Sequence, residues 1–151
     1  MKLFLFLILF FVAVRGQPQR RIDLIIIHCS AVKPGQTSSA KQIDVWHRAR
    51  GWRMIGYHYV VRRDGTIEVG RLESQVGAHC SGYNSRSIGV CYEGGLDSQG
   101  LPEDTRTREQ KEAMARLLGD LKVRYPVARI AGHNEFSRKA CPCFDAKSFF
   151  K

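Results

Sequence analysis

The sequence predicts an α/β fold: one domain built on a central mixed β-sheet with helices on its faces. Three observations carry that prediction. An unbroken apolar run, Leu24 to Ile27, has the character of a strand buried on both faces. Two β-rich stretches flank Asp64-Gly65, a dipeptide that favours a tight hairpin. A long segment, Thr107 to Tyr125, repeats apolar residues at helical spacing, and strands and helices alternate along the chain.

Taken in order, Ile22 to His28 is the first predicted strand. Lys33-Pro34-Gly35 marks the loop that follows. A helix is expected from Ser39 to Arg50, with Ile43, Trp46 and Ala49 on its apolar stripe and Gly51 as its stop. His47 on this helix is expected to be exposed or packed rather than a ligand. Tyr57 to Arg62 and Thr66 to Gly70 form the hairpin strands. Alternation along a strand sends Tyr57 and His58 to opposite faces. Residues 71–86 are mostly loop, and glycine and small residues around His79 allow close approach. Ser87 to Tyr92 is a further strand. Thr107 and Gln110 form a capping box for the long helix, whose buried face is Met114, Leu117, Leu118, Leu121 and Tyr125. Pro126 ends it, Val127 to Gly132 is the last strand, and a closing helical turn is expected over Asp145 to Phe150.

The start of the chain is of a different kind. Lys2 precedes an apolar run from Leu3 to Val14, followed by Arg15 and Gly16. Residues 1–16 are therefore expected to be a signal peptide, with residues 17–151 as the folded domain and a mature start near Gln17. The run is short for a bilayer span, so no stable membrane insertion is expected after cleavage. An uncleaved N-terminal anchor is the alternative. A periplasmic or secreted protein follows from this reading, and a monomer is expected.

The formal charge is +10, and about +8 remains once Lys2 and Arg15 are set aside. A basic exported protein suits an anionic partner, whether cell-wall polymer, lipid headgroup or nucleic acid. No basic run is interleaved with aromatics, so nucleic acid is not an expected partner. Five cysteines, an odd number, leave at least one thiol free or on a metal. Cys29 and Cys91 fall in predicted strands as small buried hydrophobes, whereas Cys80 and Cys143 sit in loop-like sequence and can pair.

The chemistry concentrates in His133 to Asp145, H-N-E-F-S-R-K-A-C-P-C-F-D. It holds His133, then Lys139, then Cys141 followed at once by Pro142. Imidazole and thiolate are preferred zinc ligands. His28, at the end of the first strand, supplies a third. Two histidines and one cysteine leave one tetrahedral position open, as catalytic zinc sites do. The bland reading is a surface loop with a free cysteine and a hydrogen-bonded core histidine. Asp145 is either a partner of a ligand or a helix cap, and Glu135 has no assigned role.

Six points in order carry a resemblance: H-C-S-A at 28–31, W-H at 46–47, G-Y-H at 56–58, R-D-G-T at 63–66, G-Y-N with S-I-G-V-C at 82–91, and K-A-C-P at 139–142. The chain from about residue 22 onward resembles the zinc-dependent N-acetylmuramoyl-L-alanine amidases of the phage-lysozyme type, relatives of the peptidoglycan recognition proteins. The resemblance implies a zinc ion (Zn2+) in a surface groove, held by His28, His133 and Cys141. It implies Tyr57 and Lys139 as catalytic residues and His79 on the substrate cleft. It implies peptidoglycan as substrate and hydrolysis of the amide between N-acetylmuramic acid and L-alanine. A non-catalytic peptidoglycan-binding domain is the alternative. The chain departs from the phage enzymes in its leader-like start. The C-P-C triplet offers a second sulfur, though spacing from Lys139 favours Cys141.

Overall fold

The computed structural model describes residues 20–147; the leader-like segment 1–16 and residues 148–150 of the expected closing turn lie outside the described residues. Five strands form one sheet: β1 (Leu24–Cys29), β2 (Tyr59–Val61), β3 (Ile67–Val69), β4 (Ser87–Tyr92) and β5 (Arg129–Gly132), in the order β3-β2-β4-β1-β5. Strand β1 runs parallel to β4 and β5, and β4 parallel to β2. Only the β2–β3 hairpin is antiparallel. The expected mixed sheet is thus present, and the fully buried β1 lies between two parallel neighbours.

Among the described residues two helices, α1 (Ala40–Ala49) and α2 (Arg108–Arg124), cover opposite faces. Ile25, Ile27, Ile88, Val90 and Tyr92 pack with Met114, Leu117, Leu118 and Leu121 of α2. Each such side chain removed from water stabilises the fold by about 1.5–3 kcal/mol. On the other face Ile43 of α1 packs with Ile55, Val60 and Cys91, and Leu24 and Ile26 pack with Cys80, Tyr83 and Phe136.

Local chemistry fixes the helix ends. The Ser39 side chain accepts from Gln42 N at 3.1 Å, and α1 stops at Gly51, whose φ of +84° suits glycine. Thr107 and Gln110 form the expected capping box, and the Thr107 hydroxyl also donates to Arg63 O at 2.6 Å. The fully buried Gln110 donates to Val61 O and Glu93 O at 3.0 and 2.9 Å, joining the start of α2 to the ends of β2 and β4.

Four strands are shorter than expected, β3 by one residue at each end. Ile22 is buried but precedes the ladder, where Asp23 N donates to Arg86 O. Tyr57 and His58 precede β2 and bond irregularly, to Arg71 N and to Gly89 O and Gly70 N. Val127 and Ala128 are held in the turn after α2, where Ala128 N donates to Tyr125 O. The cysteine pairing is a correction: Cys80 packs on Leu24 and Ile26, whereas Cys143 lies against the opposite cluster beside Cys29. All five cysteines are unpaired. The Asp145 carboxylate accepts from Lys147 N at 2.9 Å, a local turn of the capping kind. Among the described residues no helix is long and apolar enough to cross a membrane.

Candidate metal centre and substrate cleft

Side-chain alternation along β1 decides where the site lies. Ile25 and Ile27 face α2, so Leu24, Ile26 and His28 face the other way. His28 is 1 % exposed and occupies the C-terminal end of the strand. Strand β5 runs parallel beside it and delivers His133 into a short turn, His133–Glu135. The following loop returns so that Cys141 lies beside β1, where Cys29 N donates to its sulfur at 3.3 Å. The Tyr92 hydroxyl donates to Pro142 O at 2.8 Å and holds that return in place.

Ligand atoms of His28, His133 and Cys141 converge within 4.8 Å of one another. The Cys141 sulfur lies 3.8 Å from His28 Nδ1. Tetrahedral zinc at ~2.3 Å from sulfur and ~2.0 Å from nitrogen spaces two such atoms ~3.5 Å apart, so the donor set and its separation suit zinc. The second nitrogen of His28 is also engaged: Nε2 lies 3.0 Å from His79 Nδ1, and His79 Nε2 lies 3.2 Å from Ser87 Oγ. A metal on His28 Nδ1 would leave the ring proton on Nε2, which would then donate to His79, and His79 in turn to Ser87.

Glycines make that arrangement fit. A Cβ on Gly89, opposite Ile26 in the ladder, would come 2.6 Å from two ring carbons of His79. Gly77 is as close, and a Cβ there would come 2.6 Å from His79 Cδ2 and 2.9 Å from His58 Cε1. Burial pushes the His79 pKa down to about 3 and that of His28 well below its ordinary value, so both rings are neutral. His133 is lowered by burial and by the nearby Lys139 cation.

The three candidate ligands open onto a cleft of about 360 Å³ that Tyr57, His79 and Lys139 also line. The Tyr57 ring packs on His28 with centroids 5.1 Å apart, and burial raises its phenol well above the ordinary value, keeping it a hydrogen-bond donor. Lys139 is exposed at the rim. The alternation expected of Tyr57 and His58 does not hold, because both precede β2: Tyr57 packs with Ile43 and Val60 rather than with Tyr59, and His58 is fully buried beside His79, with Gly89 N donating to its Nδ1 at 3.0 Å. His47 is packed rather than ligating; its Nδ1 accepts from Gly56 N at 2.9 Å. The far wall, Trp46, Arg50 and Trp52, is a part of the cleft that the residue pattern did not reveal. The available signal was a tryptophan on the stripe of α1, which reads equally as core.

Comparison with known proteins decides the family. The N-acetylmuramoyl-L-alanine amidase family model matches residues 18–144. The chain belongs to the N-acetylmuramoyl-L-alanine amidase family. The amidase is 45 % identical over 127 residues to the endolysin of Klebsiella phage KP32, covering 84 % of each chain. It is 41 % identical over 138 residues to that of Escherichia phage T7, covering 91 % of each. Among solved structures it is similar to the amidase LysC from Clostridium intestinale, with a TM-score of 0.75 and 28 % identity over 87 % of this chain and 84 % of that one. The amidase is an enzyme, and its reaction is hydrolysis of the amide between N-acetylmuramic acid and L-alanine in peptidoglycan.

Proposed function

We propose that this amidase is zinc-dependent, with His28, His133 and Cys141 as ligands and Tyr57 and Lys139 as the catalytic side chains. The observation that carries the reading is the convergence of two imidazoles and one thiol at a cleft that the tyrosine and the lysine share. Bound there, zinc would supply Lewis acidity and a water acidified to a pKa of ~7. The Lys139 ammonium stands at the rim, where it can stabilise the negative charge that develops on the amide oxygen. The neutral Tyr57 hydroxyl can donate to that oxygen or orient the attacking water. His79 lines the cleft for substrate contact, and its Nδ1 holds His28 in the tautomer a ligand needs.

The exported location belongs to the same proposal. Peptidoglycan lies outside the cytoplasmic membrane, so an amidase acting without lysis must cross it, and residues 1–16 supply a signal peptide for that route. A charge of about +8 on the mature chain then favours retention on anionic wall material.

The test is digestion of purified peptidoglycan by the mature protein, read by mass spectrometry with and without a chelator. Release of stem peptides beginning with L-alanine, abolished by the chelator and restored by zinc, is the expected result. Unchanged release from protein shown to be metal-free overturns the zinc assignment.

A further inference from the structure

Cys29 and Cys143 have no task in the metal centre, yet they touch. Their sulfurs lie 3.8 Å apart, joining positions 114 residues apart in sequence. We propose that Cys29 and Cys143 form a disulfide that staples the end of β1 to the ligand loop, beside Cys141 but separate from it.

The other three cysteines are engaged elsewhere. Cys80 is buried against Leu24 and Ile26, and Cys91 against Ile43, Ile55 and Val60. Cys141 sits with His28 and His133. The odd count then resolves as one pair, two buried thiols and one ligand. The surroundings leave room for the pair. Gly95 passes over Cys29, where a Cβ would come 2.6 Å from both Cβ and Sγ, and the Cys143 thiol donates to Gly95 O at 3.2 Å. Cys29 is the last residue of its strand and Cys143 stands on an irregular loop. The sulfurs can therefore close to the bonded ~2.05 Å through loop movement, without breaking the sheet.

In the step, one thiol loses its proton and attacks a disulfide of the glutathione or dithiol-oxidoreductase class, releasing one thiolate from it. The second cysteine, deprotonated in turn, attacks the mixed disulfide and expels the other. One S–S bond forms in the protein, two S–H protons leave, and two electrons reduce the external disulfide to two thiols. The proposed exported location provides such oxidants; the pairing itself rests on the contact between the sulfurs.

The test equilibrates the zinc-loaded mature protein with oxidised glutathione or with dithiothreitol, then alkylates it under denaturing, chelating conditions. After oxidation three of the five thiols should remain alkylatable. Fragmentation of the tryptic peptide spanning 140–147 should place the link on Cys143 with Cys141 alkylated. Zinc content should be unchanged and Tm should rise by about 5 °C or more, as closing so long a loop predicts. Cys143→Ser should abolish the link, and Cys141→Ser should keep it. Five alkylatable thiols after oxidation would overturn the proposal, as would a link through Cys141 accompanied by loss of zinc. None of these readouts requires turnover, so the pair stands or falls independently of the proposed catalytic roles.

Discussion

The two faces of the sheet are drawn from the same strands and do opposite jobs. On the α2 face, β1 contributes Ile25 and Ile27 to a continuous apolar layer closed by Met114, Leu118 and Leu121. On the α1 face the intervening residues of β1 are Leu24, Ile26 and His28, and the layer breaks up into histidines and glycine-made gaps. Burial on the first face goes into stability, while the second buries polar rings that need partners, each answered by a hydrogen bond. A period of two residues is thus enough to separate fold from chemistry within one strand.

That separation can be broken deliberately. Replacing His28, His133 or Cys141 by alanine should remove zinc and reduce wall hydrolysis to background, while circular dichroism shows the fold retained. On the opposite face, Leu118→Ala should cost about 2–5 kcal/mol in urea unfolding yet leave zinc content and kcat unchanged below the transition. A fall in kcat at full folding would show that the faces are coupled. Tyr57→Phe and Lys139→Ala should keep zinc and lower kcat by about 10²-fold; near-normal turnover in either would remove its catalytic assignment.

Gly89→Ala tests the clearance on the chemical face. The added methyl must displace the His79 ring, so a loss of about 10-fold in activity or zinc affinity is expected, with a smaller change in stability than Leu118→Ala. A last effect concerns pH. Burial holds His58 and His47 at about 4, against an unfolded value near 6.5. Between those values the unfolded chain binds more protons, so stability rises with pH, is complete above about 6.5, and is lost as pH falls toward 4. Urea midpoints from pH 4.5 to 7 should show this slope, and His58→Gln should make it shallower while the other lowered histidines still contribute; parallel slopes in the two proteins would rule out His58 as a source of the pH dependence.

Much of this was legible beforehand because it rests on local rules. The capping box at Thr107, the stop at Gly51, the buried β1 and the placement of His28 at its end all follow from short-range pattern. So did the three candidate ligands, which the structure brings together. What pattern does not carry is the partner at long range. His79 lies 51 residues from His28, and its hydrogen bond depends on a glycine in a third segment. Trp46 occupies a helical stripe whether it faces core or cleft. Cys80 and Cys143 look alike in sequence as loop cysteines, but the sheet separates them onto opposite faces.

The parallel pairing of β1 with β5 also sets an order of events. Leu24 aligns with Arg129, and the sulfur beside His28 comes from residue 141. An antiparallel hairpin closes locally, but this ladder must wait for almost the whole chain and bear a large loop-closure cost before any contact rewards it. The first strand carries a histidine that cannot meet the other two candidate ligands until the last strand has docked. The centre is thus among the final things to assemble, and an incomplete or unfolded chain presents only scattered donors to a metal rather than a working hydrolase.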